Sequence, residues 1–509
     1  MIDVITGPPG ATASHAASRP GALARRVASQ GALLFSGFAT AQACSFLRNA
    51  ILGHSLAKGD FGIAVTLIMV LQLLESLTDV GADKLIVQAP AGDTPRFVAT
   101  AHTVLIARGV LTTLLLYVAS GPFCSFLGIV DAQPAFELIS LVPLIKGFMH
   151  LDTRCAQRGL NNLPQTLIEV IPQVTALVLL VPALYFDASY TVVVGIAVAQ
   201  AIASVLASHA VARRRYDIAF DMPILHQLLT FGWPIWLSAF PLFVVFQSDR
   251  LIIGKFFGME ALAGFSVAFL ATMVPAIIAA KVGHALMLPL LAAQRDNPRE
   301  FNARYENLSS VTAFAAALYL VVFGVAGGTL VPLAFGPNYA GHGNLTGWLA
   351  LMWMVRMVQV VPGMALMAHG QTKPFLIAGL LRASTLPAAV WLALNGFSVE
   401  SIAAAGVFGE WASLAYIVWR AGQCNPALPG ISISSAAWLA SVSVVVALTA
   451  AALGTATAPE HLAATLLLAA CTTGYALMVH KSLSGGVATL MRHQRGRLEA
   501  NSIREGATE

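Results

Sequence analysis

The chain has 509 residues, of which 57% are apolar and only 10% are charged. Soluble domains carry about 25% charged residues, so this composition excludes a soluble protein and predicts one that faces lipid. The net charge of +5 is compatible with nucleic-acid binding or with membrane topology, and the positions of the charges decide between them. The five cysteines are scattered without metal-ligand spacing, so we expect no disulfide framework, no metal site and no cofactor.

Residues 1–20 are small and polar and lack the apolar core of a cleaved export signal. We therefore expect a disordered cytoplasmic tail over residues 1–27. Beyond it, apolar runs long enough to cross about 30 Å of membrane hydrocarbon recur along the chain. We predict an all-α protein with about fourteen transmembrane helices, at 28–52, 61–80, 97–120, 135–151, 166–185, 190–211, 228–253, 261–291, 308–330, 345–368, 375–394, 401–419, 436–453 and 462–479.

The basic residues are distributed unevenly between the predicted loops. If the N-terminus is cytoplasmic, the inner loops and tails hold most of the Lys and Arg residues, whereas the outer loops hold only Lys58 and Lys255. This asymmetry follows the positive-inside rule, and it explains the net charge without a nucleic-acid partner. An even number of helices then places both termini in the cytoplasm. The predicted loops are short, which leaves no room for an extramembrane catalytic domain and argues against an enzyme.

Two segments of the chain resemble each other at a spacing of 202 residues. Arg48 and Arg250 lie at the outer ends of predicted helices 1 and 7 (250 − 48 = 202), and Gly62 and Gly264 repeat at the same spacing (264 − 62 = 202). The pattern predicts two copies of a six-helix unit, a plan in which some transporters bind substrate at the interface. We therefore expect an N-terminal lobe at 28–211, a C-terminal lobe at 228–421, a terminal helix pair at 434–482 and a cytoplasmic tail at 483–509.

Five short motifs carry a family resemblance, and they follow one another over predicted helices 1 to 11. They are KGDFG at 58–62, TDVGA at 78–82, SDRLIIG at 248–254, LAFGPNY at 333–339 and HGQTKP at 369–374. With these motifs the chain resembles the polysaccharide exporters of the multidrug/oligosaccharidyl-lipid/polysaccharide superfamily, which include O-antigen, exopolysaccharide and lipid II flippases. The resemblance implies two six-helix lobes around a central cavity with alternating access, and a terminal helix pair in fourteen-helix members.

The resemblance also implies a function. It predicts a flippase in a bacterial inner membrane that moves a polyprenyl-diphosphate-linked oligosaccharide to the periplasmic leaflet, for O-antigen, capsule or exopolysaccharide biosynthesis. Its partners would then be the lipid-linked oligosaccharide, membrane lipids and the polysaccharide polymerase or export machinery. Two alternatives stay open: a multidrug or small-molecule exporter of the same superfamily, and a membrane polysaccharide polymerase.

Charged residues inside the predicted helices indicate where a substrate binds, because a charge at the membrane centre normally faces a cavity or a partner. Cations outnumber anions there by seven to four, and the surplus suits a diphosphate headgroup. The cations are Arg48, Arg108, Lys146, Arg250, Lys281, Arg356 and Arg382, and the anions are Glu75, Glu169, Asp249 and Glu410.

Arg48 and Arg250 are the predicted headgroup ligands, since they occupy equivalent positions in the two repeats. The alternative is that each reaches the outer interface as a snorkelling side chain. Lys281 and Arg356 lie deep within helices 8 and 10 and are predicted as further cavity cations. For Lys281 the alternative is a salt bridge, with Asp249 as one partner.

Polar residues near the two arginines complete the predicted substrate site. Gln42 and Asn49 lie on one helix face, and Asp249 directly precedes Arg250. On helix 2, Glu75 and Asp79 form part of a polar stripe. The stripe predicts either a site for a coupling ion or proton or a salt-bridged seam between helices.

Overall fold

The computed structural model describes residues 20–424, 439, 442–449 and 458–479. Across these ranges the regular secondary structure is helical and no strand occurs, which confirms the all-α prediction. Nine of the described helices are long and apolar enough to cross a membrane, so the protein is a multi-pass membrane protein. Half of predicted helix 13, residues 1–19 and the predicted C-terminal tail lie outside the described residues, so the total of fourteen and the position of the termini stay predictions. Residues 20–27, which the sequence analysis assigns to the N-terminal tail, are part of the first helix.

The N-terminal half consists of nine helices. They are α1 (Pro20–Ser55), α2 (Lys58–Leu77), α3 (Ala82–Gln88), α4 (Pro95–Leu127), α5 (Gln133–Ile139), α6 (Leu141–Lys146), α7 (Asp152–Arg158), α8 (Leu163–Phe186) and α9 (Thr191–Val211).

The C-terminal half begins after a linker at 212–221. Its helices are α10 (Met222–Ala292), α11 (Pro298–Val325), α12 (Gly327–Phe335), α13 (Gly343–Ala368), α14 (Lys373–Ala383), α15 (Leu386–Leu394) and α16 (Val399–Cys424), and α17 (Ala458–Val479) packs on α11.

Two predicted spans are interrupted, and proline accounts for both interruptions. Span 135–151 contains α5 and α6, and span 375–394 contains α14 and α15. Proline has no N–H to donate to the carbonyl four residues earlier. Pro143 therefore cannot donate to the carbonyl of Ile139 at the end of α5, and Pro387 cannot donate to that of Ala383 at the end of α14.

Helix α10 contains two predicted spans, 228–253 and 261–291. Gly258 separates them, with φ 84° and ψ 176° inside an otherwise helical run of 71 residues. A positive φ of this kind is accessible to glycine at little cost. The chain therefore turns at Gly258, where the sequence predicts an outer loop.

The two halves touch at the end that the charge distribution assigns to the periplasm. The ring of Phe61 on α2 lies 6.1 Å from that of Tyr339, which follows α12, and Phe46 on α1 lies 5.4 Å from Phe335 at the end of α12. Phe61, Phe335 and Tyr339 are fully buried. This aromatic seal closes the outer end of the space between the halves.

Candidate functional site

A cavity of ≈ 380 Å³ lies between the two halves, below the aromatic seal. Its volume is within the range of small-ligand sites, about 300–1,000 Å³. No carboxylate is among the described residues that line it. The polar lining residues are Gln42, Ser45, Arg48 and Asn49 on α1, Gln72 on α2, Gln200 on α9, and Gln247, Arg250 and Ser266 on α10.

Arg48 faces this cavity from the N-terminal half. Its Nη1 donates to the side-chain carbonyl oxygen of Gln200 at 2.8 Å and to that of Gln173 at 3.2 Å. Gln173 lies on α8 and Gln200 on α9, so two helices hold one guanidinium. A side chain held in this way does not extend to the outer interface, which argues against the snorkelling alternative.

Arg250 faces the same cavity from the C-terminal half. Its guanidinium lies 4.7 Å from the ring centroid of Phe269, a cation–π contact. Its Nη1 donates to the side-chain oxygen of Gln247 at 3.1 Å. The buried Nε finds no hydrogen-bond partner among the described residues.

Gln42 and Asn49 therefore line one cavity together with the two arginines, as the sequence predicts. Arg356 and Asp249 are not among its lining residues. Arg356 donates instead to the fully buried carboxylate of Glu410 at 2.6 Å, within a network of charges inside the C-terminal half. Asp249 interacts electrostatically with Arg250 and Arg356, which places it between the cavity and that network.

Lys281 also lies away from the cavity lining. Its Nζ is 3.2 Å from the ring centroid of Phe38, so it joins α10 to α1 through a cation–π contact. The carboxylate that interacts with it electrostatically is Glu169 on α8. The described contacts of Lys281 are thus with Phe38 and Glu169, and no ion pair with Asp249 occurs among the described residues.

A second cavity of ≈ 490 Å³ adjoins the first on the side assigned to the cytoplasm. Gln72 and Gln247 border both cavities, so the two lie side by side. Glu75 and Asp79 line the second cavity. We call it the vestibule.

The acidic stripe of α2 is paired with cations. Glu75 accepts from Lys146 on α6 at 2.9 Å. Asp79 lies 3.6 Å from Arg108 on α4 and 3.3 Å from Lys84 on α3. These contacts are those of a salt-bridged seam: Glu75 joins α2 to α6, and Asp79, in the turn that follows α2, pairs with residues of α3 and α4. Among the described residues, no group of three His, Cys, Asp or Glu side chains is arranged to hold a metal ion.

Sequence reasoning missed Gln173 and Gln200, the two residues that hold Arg48. A signal was present, because each lies within a strongly apolar helix, Gln200 as the one amide of α9 and Gln173 as the second glutamine of α8. A buried amide needs hydrogen-bond partners, and a nearby intramembrane arginine is a suitable one.

Comparison with known proteins places this site in context. A family model described as "Polysaccharide biosynthesis protein" matches residues 51–344. The chain belongs to this polysaccharide biosynthesis family. The match extends over more than half of the sequence, and the predicted resemblance is confirmed.

One curated relative is the amylovoran biosynthesis protein AmsL of Erwinia amylovora. It is 28% identical over 127 residues, which are 25% of this chain and 32% of that protein. The matched segment thus spans about a third of the relative's length.

Solved structures of membrane transporters have a similar fold. The lipid II flippase MurJ in an inward closed conformation matches with a TM-score of 0.66 at 10% identity, covering 87% of this chain and 99% of that one. An inward-facing multidrug resistance MATE family transporter of the MOP superfamily matches with a TM-score of 0.62 at 15% identity, covering 77% and 96%. This member of the polysaccharide biosynthesis family therefore has a transporter fold.

Proposed function

We propose that the protein is a flippase, which carries a polyprenyl-diphosphate-linked oligosaccharide from the cytoplasmic to the periplasmic leaflet of a bacterial inner membrane. The product would enter O-antigen, capsule or exopolysaccharide biosynthesis. The observation that carries the proposal is that Arg48 and Arg250, from opposite halves, line one cavity that no described carboxylate lines.

The charge of the cavity favours an anionic headgroup. Arg48 and Arg250 have only neutral hydrogen-bond partners among the described residues. Asp249 interacts electrostatically with Arg250, so it is the positive charge of Arg48 above all that is available to a ligand. Arginine binds phosphate oxygens in bidentate geometry. Organic cations, which a multidrug exporter would carry, are disfavoured by the same charges.

The remaining polar lining suits the sugar. An unpartnered hydroxyl costs about 4–8 kcal/mol on transfer from water to a hydrocarbon-like medium. The amides of Gln42, Asn49, Gln72, Gln200 and Gln247 offer both donors and acceptors at the cavity surface. They would replace the water that the sugar loses, while the polyprenyl chain stays in lipid.

The arrangement of the two cavities supports inward access. The aromatic seal closes the outer end, and the vestibule leads from Gln72 and Gln247 toward the cytoplasmic end. A headgroup held by Arg48 and Arg250 would connect the two halves. Its binding would then favour the closed arrangement that precedes outward opening, a shift of population without a covalent step.

Two parts of the proposal concern residues outside the central cavity. Glu75 and Asp79 are candidates for ion or proton coupling, because they line the vestibule next to Gln72. Lys281 is a candidate for an early contact with the headgroup, since its Nζ reaches from α10 to Phe38 on α1.

The proposal is tested in a strain whose surface polysaccharide depends on this protein. Arg48→Ala combined with Arg250→Ala is expected to abolish the surface polysaccharide and to accumulate lipid-linked precursor in the cytoplasmic leaflet, at unchanged protein abundance. Arg215→Ala, at an exposed linker position, is the matched control and should support normal production of the surface polysaccharide. Full production by the double variant would contradict the headgroup role.

A further inference from the structure

The described arginines within the membrane-spanning helices fall into two groups by the residues that hold them. Arg108, Arg356 and Arg382 lie beside carboxylates, at distances of 3.6, 2.6 and 2.8 Å. Arg48 and Arg250, the two that line the central cavity, have glutamine side-chain oxygens as hydrogen-bond partners. Of these five arginines, the three away from the central cavity pair with carboxylates, whereas the guanidinium of Arg48 is held by amides alone. Arg250 is held by an amide with Asp249 nearby, and Arg420, at the end of α16, is also held by glutamines.

The two kinds of partner have different electrostatic consequences. A carboxylate within 4 Å cancels most of the field that a guanidinium exerts on a third group. An amide oxygen accepts the same hydrogen bond but carries no net charge. Glutamine therefore fixes the orientation of an arginine and leaves its charge for a ligand.

The geometry at Arg48 also leaves donors available. Gln173 and Gln200 both accept from Nη1, so these bonds do not use Nη2 and Nε. The Nη2–Nε edge of a guanidinium presents two parallel N–H groups, which match two oxygens of one phosphate. At Arg250, Gln247 likewise accepts from Nη1, and the Nε has no described partner.

We propose that Gln173, Gln200 and Gln247 are positioning residues that hold the cavity arginines without neutralising them, and that their lack of charge makes the site selective for an anionic isoprenoid diphosphate. This inference rests on the proposed function, because it assigns the selectivity of the same cavity. If the glutamines had a purely structural role, replacing one with a negatively charged residue would not weaken binding of the ligand, since an arginine–carboxylate pair would hold the helices at least as well.

The test replaces a glutamine with glutamate, which has nearly the same shape. Gln200→Glu keeps the acceptor for Arg48 and adds one negative charge at the cavity, and Gln247→Glu does the same for Arg250. Gln423→Glu is the matched control, because Gln423 accepts a hydrogen bond from Arg420 at an exposed site away from the cavity. The full-length protein in detergent is titrated with geranylgeranyl diphosphate, and the thermal unfolding of each variant is measured in parallel.

We expect Gln200→Glu and Gln247→Glu each to weaken binding of the probe by about tenfold or more, with an unfolding temperature equal to or above that of the wild type. Gln423→Glu should bind as the wild type does.

If a folded glutamate variant at either cavity position binds the probe as tightly as the wild type, the positioning role is wrong while the flippase proposal stands. If the wild type itself does not bind the probe, the diphosphate assignment is overturned and this inference with it. Because the two variants lie in different halves, misfolding of one leaves the other to decide.

Discussion

The carbonyl oxygen of Met259 lies 2.1 Å from the position that a β-carbon on Gly62 would occupy. Gly62 is on α2 in the N-terminal half, and Met259 is on α10 in the C-terminal half. The two backbones therefore meet next to the aromatic seal, and only a residue without a side chain allows this approach.

Gly62→Ala is expected to open the outer end of the protein. Its methyl group would force the two backbones apart by roughly 1 Å or more before carbon and oxygen reach ordinary contact. Spin labels on the two halves at the outer end should then show longer distances. Gly59→Ala is the control, because a β-carbon on Gly59 meets nothing within 4 Å. Unchanged distances in the Gly62 variant would show that this contact does not hold the seal closed.

Glu410 is expected to be essential for the stability of the C-terminal half. Its carboxylate, only 1% exposed, binds Arg356 through Oε1 and Arg382 through Oε2. Removing one partner of a buried ion pair costs about 3–5 kcal/mol, because the remaining charge is left buried. Glu410→Gln should therefore lower the thermal unfolding temperature markedly. Glu306→Gln, at an exposed position of α11, should change it little; similar unfolding temperatures for both variants would contradict the account.

The pair formed by Glu75 and Lys146 allows a charge-swap experiment. The Nζ of Lys146 lies 2.9 Å from Oε1 of Glu75. Glu75→Lys alone should therefore impair transport, because it places two cations together. Adding Lys146→Glu restores an ion pair in which the two charges have exchanged positions. If the acidic stripe is a seam, the double variant should regain most of the flipping rate in vesicles. A double variant that folds yet stays inactive would favour an ion- or proton-carrying role for Glu75.

The linker at 212–221 is expected to move with the N-terminal half. Asp152 on α7 accepts from the backbone N–H of Arg213 at 2.8 Å and pairs with the Arg214 side chain at 3.2 Å. Tyr216 stacks on His102, with ring centroids 4.3 Å apart. Asp152→Ala removes two charge-assisted hydrogen bonds, worth about 1.5–3 kcal/mol each.

Amide hydrogen exchange in the linker should accordingly accelerate by at least about tenfold in Asp152→Ala. Asp296→Ala, whose side chain is 95% exposed, serves as the comparison and should leave linker exchange unchanged. Exchange that is equally slow in both variants would mean that Asp152 does not secure the linker.

Much of the architecture could be predicted from the sequence because membrane helices are recognised by the length and hydropathy of their apolar runs. Span 166–185 falls within α8, and span 190–211 matches α9 to within one residue. The breaks at Pro143 and Pro387 were not predicted, because proline in a membrane helix is often accommodated when neighbouring groups satisfy the freed carbonyl.

The site was predictable in its chemistry but only partly in its geometry. Arg48, Arg250, Gln42 and Asn49 line one cavity, as expected of polar side chains within apolar helices. Arg356 resembled them by depth, yet it pairs with Glu410, which lies 54 residues further along the chain. Depth in the membrane is encoded locally, whereas the partner of a charge depends on how distant helices pack.

The central claim is that Arg48 and Arg250 carry a diphosphate headgroup across the membrane. The most direct measurement places purified protein in liposomes with a fluorescent polyprenyl-diphosphate oligosaccharide and follows its headgroup with a quencher that cannot cross the bilayer. The account predicts that the headgroup reaches the opposite leaflet with the wild-type protein, and that the Arg48→Ala, Arg250→Ala double variant behaves as protein-free liposomes do. Crossing at the wild-type rate in the double variant, or none with the wild type under any imposed ion gradient, would contradict it.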